Sequence, residues 1–435
     1  MVADTSRQPQ ITGDADAIDV LILDAVTRQS LACARSLGRA GLRVALGESV
    51  SSLHPSSPLP AFRSRYCSAA VVLPAIEDSR AYSAGVLDFV RARRPRVVLP
   101  AGDSAIAALV PLRGQLRALG AALAVSPDSS LEVANDKSRT LEVAASLGIR
   151  GPKSIPVDTL DDLPAVVAEL GFPFVLKPTV SWMEETNQRV LPIEVVDKDE
   201  ATVALDGLFA AGARVLAQEF IAGRRERVTL FMVDGDVRAS CAHEALRMTV
   251  PFGAVSALRE TIPLTADIGD ASVRLARAMG IAGPCETEFR RDAAGRPVLM
   301  EINARLAGTL ETTLLAGIDI PVLTWRWASG QDVERVEGYR AGVRTRWLHG
   351  DLKWLVLTFL RPGRPDSLRR GQALWLFLTE FARTRHYDFA DMRDPRPAVT
   401  RAGNVAAALM RLARRPGARP SPVSSPSKGE RVSSR

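Results

Sequence analysis

One segment, residues 284–305, constrains the fold more than any other part of this chain. It predicts a β-hairpin that turns at residues 292–295, because a short polar stretch ending in glycine separates two runs of alternating side chains. In the second run Glu301 and Asn303 fall on one face, since side chains two apart share a face of a strand. The opposite, apolar face consists of Val298, Met300 and Ile302. We therefore expect a hairpin that packs on a core and presents polar groups on its other side.

A candidate metal site follows from the position of Glu288 in the first run of this hairpin. Glu288 and Glu301 share a face only when the numbers of paired residues sum to an odd value, which loops of two or four residues give and a loop of three does not. In that register the amide oxygen of Asn303 lies beside two carboxylates, a set of hard ligands that suits Mg²⁺, with Mn²⁺ as a second candidate. The alternative is a solvated hairpin face, because short motifs match by chance.

Two lysines upstream of the hairpin are candidate ligands for phosphate. Lys177 ends the apolar strand predicted at residues 172–177, where a lysine needs a polar site to reach. Lys137 opens a predicted helix, although a solvated surface lysine fits that position equally well. Ammonium groups bind phosphate oxygens as mobile point charges, so both lysines suit an anionic ligand. Between them and the hairpin, residues 215–223 run from an apolar strand into a turn that can offer backbone groups to a flat base, or that is a plain strand end.

The order of the predicted elements indicates an α/β fold followed by an α+β fold. Short apolar strands alternate with helices over residues 17–128, which predicts a parallel, Rossmann-like sheet. No GxGxxG motif follows the first strand, so dinucleotide binding is not supported there. Residues 129–330 form the α+β module, and 331–415 are expected to be a helical extension. Residues 1–16 and 416–435 are expected to be disordered, the latter because they are rich in Pro, Ser and Arg.

The net charge of +7 is concentrated at the C-terminal end of the chain. From Tyr339 onward there are 20 Lys and Arg against 7 Asp and Glu, so the rest of the chain is slightly acidic. This distribution disfavours a protein that binds nucleic acid over its whole surface. The Trp-rich extension could form a basic amphipathic surface at a membrane, but packing of its aromatic residues on the protein body is the favoured interpretation.

The compartment is expected to be the cytoplasm. The four cysteines lie far apart and fit neither a disulfide framework nor a CxxC metal site. No apolar run is long enough to cross a bilayer, and the first residues do not have the pattern of a secretory signal. Histidine is scarce and lacks metal-ligand spacing, so zinc chemistry is poorly supported as well.

Taken in order, the two lysines, the strand end and the hairpin resemble the ATP-grasp superfamily, the fold of biotin carboxylase, carbamoyl phosphate synthetase and D-alanine–D-alanine ligase. The resemblance covers about residues 17–330. Within the superfamily the chain looks like an uncharacterised group of carboxylate–amine ligase-like proteins, on the basis of residues 303–311, 316–321, 387–389 and 394–397. The resemblance implies a Rossmann-like domain, then an ATP-grasp fold, and here a helical basic C-terminal extension.

The resemblance also implies roles for individual residues. Lys137 and Lys177 would contact the phosphates of ATP, with Lys177 reaching toward the adenine side. Glu219, Phe220 and Ile221 would form the hinge that meets adenine, and Glu226 would bind the ribose. Glu288, Glu301 and Asn303 would bind Mg²⁺, and Arg305 would face the transferred phosphoryl group.

The chain departs from the superfamily pattern in one loop. Members usually have a glycine-rich loop over the phosphates, but residues 179–189 contain no glycine, which makes backbone conformations with positive φ costly. Hydroxyl groups of Ser181 or Thr186 are the candidate substitutes. A second loop, residues 251–260, resembles one that lies near the acceptor, and Arg247 and Arg259 beside it are candidates for binding an anionic substrate or are ordinary surface arginines.

The implied activity is an ATP- and Mg²⁺-dependent carboxylate–amine ligase that releases ADP. Its partners would be ATP, a small carboxylate and an amine, with the oligomeric state open. The alternative is a nucleotide-binding sensor or scaffold without ligase turnover, which the glycine-free loop motivates.

Overall fold

The computed structural model describes residues 10–13, 17–54, 57–180, 182–183, 188–250, 253–361, 364 and 367–413. The disorder expected for residues 1–16 is wrong for Gln10–Gly13, which form strand β1 and pair antiparallel with residues 69–72. Residues 1–9, 14–16 and the tail 416–435 lie outside the described residues. No helix in the described part of the chain has the length and apolar composition needed to cross a bilayer.

The N-terminal region forms a six-stranded sheet flanked by helices. The strand order is β1-β4-β3-β2-β5-β6, and all pairings except β1 with β4 are parallel. The three residues of β2 are all buried, as expected for a parallel strand covered on both faces. The elements that follow β1 are β2 (Val20–Ile22), α1 (Arg28–Arg39), β3 (Val44–Ser49), β4 (Cys67–Leu73), α2 (Ser79–Arg93), β5 (Val97–Leu99), α3 (Asp103–Leu109), α4 (Arg113–Ala118) and β6 (Ala122–Leu123).

The middle region forms a small antiparallel sheet with its own core. The strand order is β11-β8-β12-β7, and its core is filled by residues such as Phe174, Leu176 and Leu205. Within the described residues, strands β9 and β10 pair with each other in a separate two-stranded sheet. The elements are α5 (Asp128–Asn135), α6 (Lys137–Ser146), β7 (Ser154–Val157), α7 (Leu163–Leu170), β8 (Phe174–Pro178), β9 (Trp182–Met183), β10 (Gln188–Arg189), β11 (Ile193–Val195), α8 (Lys198–Ala210) and β12 (Val215–Glu219).

The remainder of the chain forms a seven-stranded sheet in the order β17-β16-β13-β14-β15-β18-β19. Only the β18–β19 pairing is parallel. The elements are β13 (Arg225–Val233), β14 (Asp236–Val250), β15 (Gly253–Ile262), α9 (Ala266–Ala278), β16 (Gly283–Arg291), β17 (Pro297–Asn303), α10 (Leu310–Ala316), α11 (Ile320–Ala328), β18 (Arg344–Arg346), α12 (Leu348–Leu360), α13 (Arg370–Arg383), β19 (His386–Tyr387) and α14 (Arg396–Ala413).

The N-terminal and seven-stranded sheets share a continuous core. One buried apolar cluster runs from Leu21 in the first sheet and Phe89 on α2 to Leu230, Leu275 and Leu299 around the last sheet. The small middle sheet is built around a separate cluster. The molecule therefore consists of one large body and a smaller lobe formed by residues 154–219.

The C-terminal segment is more closely joined to this body than a helical extension would be. Strand β18 pairs with β15 and so adds to the large sheet. Beyond it, Asp388 and Asp394 form ion pairs with Arg28 and Arg35 of α1. Residues 331–415 contain the helices α12, α13 and α14 and also the strands β18 and β19, which the expected helical extension did not include.

Candidate functional site

A cleft of about 400 Å³ lies between the small lobe and the large sheet. It brings together residues that lie far apart in the sequence but were predicted to form one site. The predicted residues that line it are Lys137, Lys177, Glu219, Phe220, Ile221, Glu226, Glu288, Glu301, Asn303 and Arg305.

In the hairpin at residues 284–305, Glu288 and Glu301 share a face because of a bulge and not because of the loop length. Arg291 pairs with Pro297, which leaves a five-residue loop, and that parity would place Glu288 and Glu301 on opposite faces. A β-bulge between the two pairings restores the odd sum, because Phe289 pairs with Leu299 whereas Glu288 pairs directly with Glu301. Met300 is the extra residue, and it lines the cleft instead of packing in the core as predicted.

The two facing carboxyl groups have opposite shifts in pKa. Burial raises the pKa of Glu288 to about 8, against the lowering effect of Arg227. Burial also acts to raise the pKa of Glu301, but Lys137 and Lys177 outweigh it, so that this pKa is lowered. One proton is therefore held mainly on Glu288 when no cation is present.

The donor set beside this pair fits a hard divalent cation. The carboxyl groups of Glu288 and Glu301 and the side chain of Asn303 line the same cleft, and the Asn303 amide donates to Glu301 at 3.2 Å. No cluster of three His, Cys, Asp or Glu side chains within the described ranges is placed to hold a metal. Two carboxylates and an amide agree with Mg²⁺, which takes few protein ligands and completes its shell with water and phosphate oxygens.

The two lysines line the cleft near the hairpin carboxyl groups, since both act to lower the pKa of Glu301. Lys137 is the first residue of α6, and its backbone N–H donates to the carbonyl of Thr179 at 2.9 Å, which ties the helix to the end of β8. Burial lowers the pKa of Lys177 to about 8, and the neighbouring Lys137 acts in the same direction. Glu301 and Glu288 counteract this effect, so the cleft holds two cations and two acids in close electrostatic contact.

Arg227 and Glu286 belong to the site, although no role was predicted for either. Arg227 on β13 pairs with Glu288 on β16, and its guanidinium donates to that carboxylate at 2.9 Å. Glu286 is buried and accepts hydrogen bonds from Thr309 at 2.6 Å and Arg227 at 3.4 Å, and it lies 2.9 Å from His243. The alternation of the first hairpin strand, which puts Glu286 on the same face as Glu288, was the signal that could have found it.

Arg305 faces the cleft, and its guanidinium already has partners within the protein. Its guanidinium contacts Asp103 at the start of α3, and it donates to the amide oxygen of Asn303 at 3.2 Å. Asp103 comes from the N-terminal sheet, about 200 residues away in the sequence, so no local pattern could have indicated it. These contacts hold Arg305 beside the predicted metal ligands.

The predicted hinge forms the edge of the cleft next to β12. The N–H of Glu219 donates to the carbonyl of Lys153 at 2.9 Å, and the carbonyl of Ile221 accepts from Arg290. The guanidinium of Arg290 also lies 5.1 Å from the ring centroid of Phe220, and this cation–π contact orients the ring. These contacts hold the three hinge residues in place along the cleft wall.

The ribose candidate lies at the same end of the cleft. Glu226 is buried and accepts from Arg291 at 2.7 Å, with Arg224 at 3.5 Å. A hydroxyl ligand would therefore share this carboxylate with Arg291.

Arg247 and Arg259 do not reach either the cleft or the cavity beside it, and the structure gives them a different role from the predicted substrate binding. Arg247 donates to Asp351 at 2.6 and 2.8 Å. Arg259 is buried, donates to Thr312 at 2.9 Å and pairs with Asp388. Both guanidinium groups anchor the C-terminal segment, whose acids could not be identified as their partners from local sequence.

The glycine-free loop at residues 179–189 contains the short β9–β10 ribbon. Ser181 and Thr186, proposed as substitutes for glycine, lie outside the described residues, as do Pro251 and Phe252 of the second loop.

A second cavity of about 320 Å³ adjoins the cleft and shares with it Glu288, Glu301, Asn303 and Arg305. Parts of its remaining wall come from segments near the two ends of the described chain. The start of α1 and the two residues before it supply residues 26–29, and the C-terminal segment supplies Trp347, Phe389 and Arg401. Arg28 stacks on Trp347 with 4.4 Å between guanidinium carbon and ring centroid.

Arg401 differs from the other guanidinium groups of this cavity. Arg28, Arg227 and Arg305 each pair with a carboxylate. Arg401 lies 5.5 Å from the Phe389 ring centroid, and its buried Nε has no hydrogen-bond partner among the described residues. Burial lowers the pKa of Arg401, and no neighbouring carboxylate offsets it.

Comparison with known proteins places this geometry in context. A family model described as "ATP-grasp in the biosynthetic pathway with Ter operon" matches residues 239–350. The D-alanine–D-alanine ligase of Bordetella petrii is 28% identical over 206 residues, which cover 44% of this chain and 61% of that ligase. The alignment thus spans less than two thirds of that relative's length.

Two solved structures share the fold. The L-amino acid ligase from Bacillus licheniformis aligns with a TM-score of 0.55 at 20% identity, over 73% of this chain and 75% of that one. The biotin carboxylase from Campylobacter jejuni aligns with a TM-score of 0.59 at 14% identity, over 75% and 74%. At these identities the likeness concerns the fold alone.

Proposed function

We propose that this chain, which belongs to the ATP-grasp superfamily, is an ATP-dependent ligase that activates a carboxylate for attack by an amine or a similar nucleophile and releases ADP. The observation that supports this most strongly is the meeting of Lys137, Lys177, Glu288, Glu301 and Asn303 at one cleft. Paired carboxylates repel each other, and a pair placed opposite two ammonium groups suits a phosphate ligand with its cation.

In this proposal the nucleotide lies along the cleft. Its base contacts the hinge at residues 219–221, its ribose meets Glu226, and its phosphates extend toward Lys137 and Lys177. The D-alanine–D-alanine ligase and the L-amino acid ligase compared above are both ligases by name, which supports a ligase reaction for this chain.

The residues of the chain act by positioning and by neutralising charge. The terminal phosphoryl group would pass to a carboxylate oxygen, giving an acyl phosphate and ADP, and the amine would then attack the carbonyl carbon with loss of inorganic phosphate. Lys177 and Arg305 would stabilise the negative charge on the transferred group. Glu288, Glu301 and Asn303 would hold Mg²⁺, which when bound neutralises phosphate charge as a Lewis acid.

The acceptor carboxylate is proposed to bind in the second cavity. That cavity shares the candidate metal ligands with the cleft, so a carboxylate bound there would lie next to the transferred phosphoryl group. Arg401 provides a guanidinium that no acid of the described chain neutralises. An anionic acceptor is therefore complementary to this wall.

The test is ADP release measured over a panel of carboxylates crossed with amines, with Mg²⁺ present. Glu301→Gln should abolish ADP release while leaving the far-ultraviolet circular dichroism and the unfolding temperature near those of the parent chain. The matched control is Glu337→Gln, an exposed glutamate that lines neither cavity and should retain activity. Undiminished ADP release by Glu301→Gln would refute the assignment. Nucleotide-induced stabilisation without ADP release under any mixture would instead favour a sensor or scaffold.

A further inference from the structure

The outward faces of α12 and α13 are apolar. These two helices pack against each other through Trp354, Ala373 and Phe377. Their exposed faces carry large apolar side chains at helical spacing, and Trp375 and Leu360 are 67% and 71% exposed. The exposed apolar residues of α12 are Leu348, Leu352, Val356, Phe359 and Leu360, and those of α13 are Leu374, Trp375, Leu378 and Phe381. We call this surface the α12–α13 face.

The polarity of the helix pair is inverted relative to an ordinary surface helix, which buries its apolar side. Asp351 of α12 is fully buried and accepts from Arg247 and Arg346 at 2.6 Å each. Glu380 of α13 is also buried and accepts from Arg344 at 3.0 Å. The acidic side chains of these helices thus lie inside, and most of their large apolar side chains lie outside. Packing on the body, the interpretation favoured from the sequence, is correct for Trp354 and wrong for Trp375.

On α12, α13 and the described residues directly next to them, the exposed charged side chains have one sign. Lys353, Arg361, Arg369, Arg370 and Arg383 are all exposed. Lys353 shares a helix face with Val356 and Leu360, which follow it by three and seven residues. Asp351 and Glu380 are the only acids in the two helices, and both are buried. An apolar stripe bordered by cations, with no exposed acid in either helix, is complementary to an anionic lipid surface.

We propose that the α12–α13 face docks this protein on the surface of a lipid bilayer that contains anionic lipids. The apolar side chains would enter the acyl boundary, Trp375 would lie at the headgroup level, and the basic side chains would contact anionic headgroups. A second copy of the chain fits this face less well, because self-association would bring like charges together. The proposal does not depend on ligase activity.

The experiment is flotation of the full chain with vesicles of phosphatidylcholine alone and of phosphatidylcholine with phosphatidylglycerol, without nucleotide. The parent chain should float with the anionic vesicles, and added salt should weaken that binding. A double change, Trp375→Ser with Phe381→Ser, should abolish flotation. Lys353→Gln with Arg369→Gln should weaken partitioning roughly 25-fold, since each cation near the surface contributes roughly fivefold.

Matched controls lie elsewhere on the surface. Val203→Ser on α8 removes an exposed apolar side chain, and Arg117→Gln removes an exposed cation, so both variants should float like the parent. Trp375→Phe retains an aromatic ring and should float, but it should lose the blue shift of fluorescence that vesicles induce in the parent. Unchanged unfolding temperatures would show that the variants are folded.

Three outcomes would overturn the proposal. The first is that the parent chain does not float with either vesicle, and the second is equal flotation of the parent and the Trp375/Phe381 double variant. The third is a dimer in sedimentation that the double variant dissociates, which would make the face an interface between copies.

Discussion

At the scale of single residues, Glu288 makes the protein's stability depend on pH. Its pKa is raised to about 8 by burial, so the folded state holds a proton that the unfolded state releases near the ordinary carboxyl pKa. Folding stability from this group is therefore present at low pH and is lost as the pH rises toward 8. Because a metal ligand must be deprotonated, Mg²⁺ binding should release this proton and strengthen with pH over the same range.

The first prediction concerns Glu288→Gln in metal-free protein. The variant should lose less stability than the parent chain between pH 5 and pH 8, because its neutral amide replaces the group that must ionise. Thermal unfolding in the presence of a chelator at several pH values measures this difference. Glu337→Gln, at an exposed position, should follow the parent, and parallel pH curves for parent and Glu288→Gln would contradict the assignment.

A second residue-scale prediction concerns Arg401. If the acceptor carboxylate binds its guanidinium, Arg401→Gln should raise KM for the carboxylate roughly tenfold to a hundredfold, the usual cost of a hydrogen bond to a charged group. KM for ATP should change little, and Arg401→Lys should recover part of the loss. Arg396→Gln, an exposed position on the same helix, is the control. Steady-state kinetics with each substrate varied in turn separates these effects, and an equal loss for ATP would point to a general distortion.

The sequence identified the residues of the cleft better than it identified their partners. Strand alternation put Glu301 and Asn303 on one face because a period of two is a local property, whereas Glu288 joins them only through the bulge. Asp103 beside Arg305, and Asp388 beside Arg259, are contributed by distant segments. Arg259 was therefore assigned to substrate, although its charge serves to hold the C-terminal segment.

At the scale of elements, Gly223 fixes how the hinge enters the large sheet. Its φ is +120°, a conformation that side chains rarely adopt, and an added Cβ would lie 2.3 Å from the carbonyl oxygen of Arg291. Residues 219–221 lie just before it in the sequence. The close approach of Gly223 to Arg291 therefore positions the wall that is proposed to contact adenine.

The third prediction is that Gly223→Ala destabilises the protein by about 1–3 kcal/mol and weakens ATP binding, because strain must move either the hinge or β16. The control is Gly207→Ala in α8, where an added Cβ meets nothing within 4 Å and the change should stabilise by about 0.4–1 kcal/mol. Chemical denaturation and nucleotide titration measure both effects. Equal stabilities for the two variants would show that the hinge tolerates a side chain.

The hairpin shows how far an element can be derived from sequence. Its two strands follow from alternation and its turn follows from the glycine, and all three elements were predicted. The bulge at Met300 was not, because it depends on how β16 packs between β13 and β17. Without it the five-residue loop would separate the two acids, so a local irregularity decides the chemistry of the cleft.

At the scale of the whole molecule, buried polar contacts hold the C-terminal segment against α1. Asp394 is buried and accepts from Arg35 at 3.0 Å, Ser64 at 2.7 Å and the N–H of Arg65 at 2.9 Å. Removing one partner of a buried ion pair leaves the other charge uncompensated. This contact therefore contributes to the stability of the large body.

The fourth prediction is that Asp394→Ala lowers the free energy of unfolding by about 3–5 kcal/mol. Asp391, in the same loop, pairs with the partly exposed Arg39 at 3.0 Å, and Asp391→Ala should cost about 1 kcal/mol or less. Urea denaturation of both variants provides the comparison. A small loss for Asp394→Ala would mean that the C-terminal segment is dispensable for the fold.

The overall architecture was predictable as a series of regions but not as an assembly. Strand–helix alternation indicated a parallel sheet at residues 17–128, and the structure contains one. The shared core of the two large sheets and the return of the C-terminal segment to α1 come from contacts between residues far apart in the sequence, such as Arg35 and Asp394, which are 359 positions apart. Such contacts leave no period or spacing in the sequence.

The split origin of the second cavity has a consequence for synthesis of the chain. All of the cleft's lining residues have been made once Arg305 has been added, whereas Trp347, Phe389 and Arg401 follow later. A ribosome-bound intermediate would thus contain every residue proposed to bind the nucleotide before it contains the wall proposed to bind the acceptor. The residues proposed to select the acceptor would be among the last to be added during translation.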